Sequence, residues 1–314
     1  MPDIISWVIF AVAIFGLLAL DLFVFHRDAK PVRMREAGAW VGVWVALGLA
    51  FGGWIFLTRG ATSGGEYFAG YLIEYSLSMD NVFVFAVLFS YFGVPAAYQH
   101  RLLFWGVLGA IVFRAIFIVG GIALLERFHF VVYLFGLLLL FTAWRMVTAG
   151  TDNVDPSKNV FLRFIRRVIP VTDAFEGQGF FTRRDGKLWA TPLFAALVVI
   201  ETSDIMFAID SVPAILAITT DTFIVFTSNA FAIMGLRSLY FLLAGLIDRF
   251  EYLKYGLAAL LAFAGIKMLL SDVFHIDVWV SLGIIVAILG ASIVVSLVAT
   301  RDRHLPDASP PEPG

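Results

Sequence analysis

Apolar residues in this chain do not confine themselves to one helical face. They run on for about twenty positions at a time and are interrupted by short polar stretches. Nine such runs can be marked, at roughly 4–25, 37–57, 67–92, 102–125, 130–149, 190–218, 222–245, 252–270 and 277–299. A helix rises about 1.5 Å per residue, so each run is long enough to cross a hydrocarbon core of about 30 Å with some tilt. The pattern predicts an all-α polytopic membrane bundle of about nine transmembrane helices in the lipid bilayer. Residues 1–300 are read as one transmembrane domain, and 301–314, ending in LPDASPPEPG, as a disordered cytoplasmic tail. The first run lacks a basic leader and an A-x-A cleavage site, so it reads as a retained span and not as a signal peptide.

Basic residues orient the bundle. Sixteen Lys and Arg fall on one set of connections, while the opposite set holds only Arg59 and Arg127. The positive-inside bias places the N-terminus outside and the C-terminus in the cytoplasm, which requires an odd number of spans. The 150–189 connection is the one sizeable cytoplasmic element. Its LRFIRRVI segment (162–169) predicts a basic amphipathic helix on anionic lipid. Further along, Asp185-Gly186 predicts a hairpin turn between two short strand-like runs.

Composition agrees and narrows the function. Hydrophobic residues make up 61% of the chain and charged ones 15%, with a mean hydropathy of +0.91. Soluble domains lie nearer half apolar and a quarter charged. The net charge of −2 says nothing about nucleic acid, but no basic stripe is interleaved with aromatics, so none is expected as a partner. The absence of cysteine excludes disulfides, thiolate metal sites and Cys nucleophiles. No H-E-x-x-H, P-loop or nucleophile–base pair is present, so the chain is not read as an enzyme.

An internal repeat is visible in the spans. LIEYSLSMDNV (72–82) resembles VIETSDIMFAIDSVP (199–213), and GAIVFRAIF (109–117) resembles AIMGLRSLYF (232–241). Tyr133 followed by FTAWRMV (141–147) resembles Tyr255 followed by FAGIKML (263–269). The offsets of 127, 123 and 122 residues preserve the order, giving repeat one over 67–149 and repeat two over 190–270. Three spans per unit invert the second copy relative to the first, as in secondary transporters whose site lies at mid-membrane between the halves.

Ionisable residues inside these spans carry the candidate chemistry. The third span holds Glu74 and Asp80 and the sixth holds Glu201, Asp204 and Asp210, with Arg114 and Arg237 on the neighbouring spans. Five acids near mid-membrane oppose insertion by more than ~10 kcal/mol on insertion scales, so they must pair, bind an ion or line water. At about 100° per residue, Glu201 and Asp204 share a helix face while Asp210 points about 180° from Glu201. A straight helix cannot converge all five. Pro213 therefore predicts a kink or unwound turn near 204–213, and the repeat suggests a similar break near Ser78–Asn81. Carboxylate, amide and hydroxyl oxygens from these residues, with Asn81 and Ser211, are hard ligands suited to Mg²⁺, Ca²⁺ or Mn²⁺. Arg114 and Arg237 serve charge pairing or gating, either as structural salt bridges within the repeat or in transport. Asn229 is a further ligand or an interhelical hydrogen-bond donor.

At these residues the sequence resembles the TerC/Alx family of integral membrane proteins. The likeness rests on GYLIEYSLSMDNVFVF, LFSYFGVPAAYQHRLLFWGVLGAIVFR, FFTRRDGKLWATPL, ETSDIMFAIDSVPAI and TSNAFAIMGLRSLYFLLAG, and extends over roughly 4–300. The resemblance implies a bacterial inner-membrane protein that exports manganese, with the family's acidic positions falling at Glu74, Asp80, Glu201, Asp204 and Asp210. Mn²⁺ is then a transported substrate, and no prosthetic group is expected. Two other functions fit the residues: export of another cation, such as Ca²⁺ or a cationic amino acid, and a membrane scaffold meeting protein partners through 150–189.

Overall fold

The computed structural model describes residues 4–20, 34–148, 170–172, 175, 177, 179–184, 187–243 and 253–301. Long helices dominate: α1 (Ile4–Leu20), α2 (Met34–Arg59), α3 (Ala61–Tyr91), α4 (Ala96–Arg127) and α5 (Phe130–Thr148). After a hairpin of β1 (Phe181–Arg184) and β2 (Lys187–Ala190) come α6 (Pro192–Leu216), α7 (Thr222–Met234), α8 (Leu236–Leu243), α9 (Leu253–Leu269) and α10 (Val278–Arg301). The strands pair antiparallel from Phe181 opposite Ala190 to Arg184 opposite Lys187. Asp185 and Gly186, read above as the turn, lie outside the described residues, as do the 162–169 segment and the 302–314 part of the tail.

Seven spans among the described residues are long and apolar enough to cross a membrane: α2 to α6, α7 with α8 taken together, and α10. Two of the nine predicted spans fall short. Only 17 residues of the first are described as helix, the stretch from residue 21 onward lying outside the described residues, and α9 is also 17 residues long. Seventeen residues rise only about 26 Å. The chain is an all-α polytopic helix bundle with a small hairpin appended.

Backbone conformations set where the helices stop. Gly60, at φ +90°, separates α2 from α3, and Gly93, at φ +61°, followed by Pro95, separates α3 from α4. Glycine takes this left-handed region at little cost. Asp221 caps α7, its carboxylate accepting the backbone N–H groups of Phe223 (2.9 Å) and Ile224 (3.1 Å).

The unwound turns expected in α6 and α3 are not formed. α6 remains helical through Pro213, and α3 runs unbroken from Ala61 to Tyr91. Pro213 lies within a turn of the helix end at Leu216, so its missing donor removes a single late hydrogen bond, toward Ile209. The break falls instead at Gly235, which separates α7 from α8 just before Arg237.

Burial ranks the helices. In the span formed by α7 and α8, 89% of the apolar window is buried, against 17% for α10, so α7–α8 is central and α10 peripheral. Leu134, Leu137, Phe141 and Trp144 of α5 and Val280, Val286, Val294 and Val298 of α10 are exposed, as side chains facing lipid would be. α3 packs on α7, α4 on α6, and α5 on α9. An exchange of the two units would map the α3–α7 contact onto α6–α4 and the α5–α9 contact onto itself.

The α5–α9 contact is the most extensive of them and depends on glycine. A Cβ at Gly136 would lie 2.8 Å from the Leu269 side chain and 3.1 Å from the Gly265 carbonyl. Small residues at such crossings let two backbones approach within van der Waals range. Gly136→Val is therefore expected to destabilise the protein by ~1–3 kcal/mol, as overpacking of a well-filled contact does. The thermal unfolding midpoint in detergent checks this, and an unchanged midpoint would mean that the crossing is looser than it looks.

Candidate metal site at the α3–α4–α6 junction

Arg114 is the centre of a buried polar cluster. Its side chain, 1% exposed, enters from the middle of α4 between α3 and α6. Nη1 forms an ion pair with Glu74 Oε1 on α3 and donates to Ser211 Oγ on α6 at 2.8 Å. Nη2 lies 3.7 Å from Asp204 Oδ1 on α6. A planar guanidinium can hold two carboxylates and a hydroxyl at fixed angles, which a lysine ammonium cannot. The pairing is also what allows these charges to sit away from water.

Donors around Glu74 leave it no open oxygen. Oε1 also accepts from Ser78 Oγ (3.0 Å), one turn along α3, and Oε2 accepts from Asn229 Nδ2 on α7 (2.8 Å). Asn229 is thus an interhelical hydrogen-bond donor in this structure.

Asp204 is different. Oδ1 faces Arg114 and accepts from Asn81 Nδ2 at 3.3 Å. Its other oxygen, Oδ2, is buried with no hydrogen-bond partner, and so are Oδ1 of Asn81 and Oε2 of Glu201. A carboxylate accepts, so Asn81 must turn its amide nitrogen toward Asp204 and its carbonyl oxygen away. Glu201 precedes Asp204 by about one turn on the same face of α6. Three buried acceptor oxygens from α3 and α6 therefore lack donors. A donor-less buried acceptor is costly, and hard oxygen ligands of this kind suit a divalent cation.

The predicted acids do not all come together. Asp210 turns away from Arg114 and accepts from Thr142 Oγ1 of α5 at 2.8 Å. Arg237 is buried on α8, beyond the Gly235 break. The side chain of Asp80 lies outside the described residues. No group of three or more His, Cys, Asp or Glu is arranged to hold a metal among the described residues, and the open set is two carboxylates and one amide oxygen.

Gly109 is a site residue that sequence reasoning did not single out. A Cβ there would collide with the Glu201 carboxylate, which lies directly on the α4 backbone. The signal was a glycine five positions before Arg114 in a helix that must admit a neighbouring side chain. Gly109→Ala is expected to displace the Glu201 carboxylate and weaken divalent-ion binding about tenfold or more, as a misplaced supporting shell does. Calorimetric titration of the purified variant with Mn²⁺ measures this, and unchanged affinity would separate Glu201 from the site. Thr142 was likewise missed, because a single hydroxyl in an apolar helix carries no pattern.

Comparison with known proteins places this architecture. Residues 59–304 match the family described as integral membrane protein TerC. A Myxococcus xanthus protein named uncharacterized membrane protein STKORF319 is 48% identical over 306 residues, covering 98% of this chain and 96% of that protein. The Escherichia coli K12 protein named putative membrane-bound redox modulator Alx is 47% identical over 299 residues, 92% of this chain and 93% of its own. A Rickettsia bellii membrane protein is 40% identical over 293 residues, 93% of this chain and 97% of its own. No solved structure matches. This multi-span membrane chain, with acidic helices packed around a buried arginine, belongs to the TerC family of integral membrane proteins.

Proposed function

We propose that this chain carries a divalent metal cation, Mn²⁺ as its physiological substrate, out of the cytoplasm across the bacterial inner membrane. The observation that carries the reading is the trio of buried, donor-less oxygens at Asn81, Glu201 and Asp204. They sit on α3 and α6, the first helices of the two related units, where the inverted-repeat architecture puts a transported ion. Manganese over calcium comes from the family likeness, since both ions accept all-oxygen sites. With the N-terminus outside, rocking of one three-helix unit against the other would expose the site to each side in turn.

The relatives called redox modulators fit this reading through the ion. Without a cysteine the chain has no thiol to exchange, whereas export of a redox-active metal changes the cell's redox state indirectly. The test is Mn²⁺ flux in proteoliposomes holding the purified protein, beside a Glu201→Ala/Asp204→Ala variant. Flux that the double variant loses supports transport through α6. Intact protein that moves no Mn²⁺ under an imposed pH gradient or membrane potential would sink the proposal and favour a scaffold acting through 150–189.

A further inference from the structure

Arg114 is needed for pairing, yet it is also a permanent positive charge placed in a site meant for a cation. Its Nη atoms reach Glu74 Oε1, Ser211 Oγ and Asp204 Oδ1, and almost none of the side chain meets solvent. Glu201 Oε2, against the α4 backbone at Gly109, and Asp204 Oδ2 are buried with no hydrogen-bond partner. Among the described residues, and counted as ionised, Glu74, Asp204 and Glu201 bring three negative charges and the guanidinium one positive, leaving a residue of two. Asp210 does not enter the count, because it is engaged with Thr142 on the other side of α6.

We propose that Arg114 is a tethered cation that sets the valence of the ion this site accepts, by cancelling one of the carboxylate charges of Glu74, Asp204 and Glu201 so that a divalent ion neutralises the remainder. The inference rests on the metal-binding reading above and adds the residue that tunes it. At a buried site, one uncompensated unit charge a few ångströms from the ion changes relative affinity steeply with ionic charge. A trivalent ion would overfill the site with Arg114 in place, and a monovalent ion would underfill it. A purely structural clamp makes a different prediction, since its loss would weaken every ion together.

The experiment measures equilibrium binding of Mn²⁺ and La³⁺ to the full-length protein in detergent, by calorimetric titration. Wild type is compared with Arg114→Gln, Glu74→Gln and Glu74→Gln/Arg114→Gln. Residual charge at the site is then two, three, one and two negative, respectively. The ratio of La³⁺ to Mn²⁺ affinity should rise about tenfold or more in Arg114→Gln, fall by a similar factor in Glu74→Gln, and return near the wild-type value in the double variant. A ratio that stays constant across the series, or a double variant that keeps the value of either single one, overturns the proposal. Should Arg114→Gln fail to fold, the Glu74→Gln and double variants still decide, because only charge matching predicts a fall in the first and a return to the wild-type ratio in the second. Wild type that bound neither ion would overturn the metal-site reading itself, and this inference with it.

Discussion

Asp204→Ala is expected to cut Mn²⁺ flux in proteoliposomes about a hundredfold or more, at or beyond the upper end of what loss of a metal's supporting shell costs. Asp210→Ala, in the same helix, should keep most of the flux. Both are acids of α6 and look equivalent by composition. Asp204 is 2% exposed and has a buried oxygen without a donor, as do its hydrogen-bond partner Asn81 and, one turn back on the same helix, Glu201. Asp210 is half-buried, lies on the other side of the helix and is satisfied by Thr142. Loss of Asp204 leaves Arg114 bound to Glu74 and Ser211, so the variant should still fold and reach the membrane. Equal losses in the two variants would mean that the ion path crosses both faces of α6 and is not centred on Asn81, Glu201 and Asp204.

The second large effect is on stability. Arg114→Ala should destabilise the bundle by about 3–5 kcal/mol, the cost of stranding the carboxylates that a buried cation had compensated. Glu74 would keep Ser78 and Asn229 as donors, but the charges of Glu74 and Asp204 would face each other with only hydroxyls and amides between them. Removing charge on both sides, as in Glu74→Gln/Arg114→Met, should cost clearly less, because replacing a buried pair by neutral groups is often close to neutral. Thermal unfolding midpoints in one detergent compare the two. A double variant no more stable than Arg114→Ala would show that the hydrogen-bond geometry matters more than charge compensation.

Much of the architecture was legible from the chain alone. A long apolar run has few alternatives to a spanning helix, since lipid offers nothing to satisfy free backbone groups. The hairpin was similarly readable, since strand-like runs flank Asp185-Gly186 and the strands pair up to Arg184 and Lys187 on either side. The acids and Arg114 announced themselves as charges where lipid should be. Helix continuity through Pro213 was not legible, because the cost of a proline depends on how many turns follow it. Nor was the break at Gly235, since a glycine in an apolar helix is tolerated in many contexts and interrupts only some.

The division of labour among the polar residues belongs to the tertiary structure. Periodicity could say that Glu201 and Asp204 share a face and that Asp210 does not. It could not say that Asn229 would turn to Glu74, Thr142 to Asp210, or that Gly109 would make room for Glu201. Those choices depend on which helix packs against which and at what distance. Residues more than a hundred positions apart, such as Asn81 and Asp204, meet only after that packing is complete. Sequence by itself determined that buried charge had to be compensated, because the free energy of burying it depends on residue type. Tertiary structure decided which acids Arg114 compensates and which oxygens remain open, because hydrogen bonds and ion pairs depend on separations of a few ångströms.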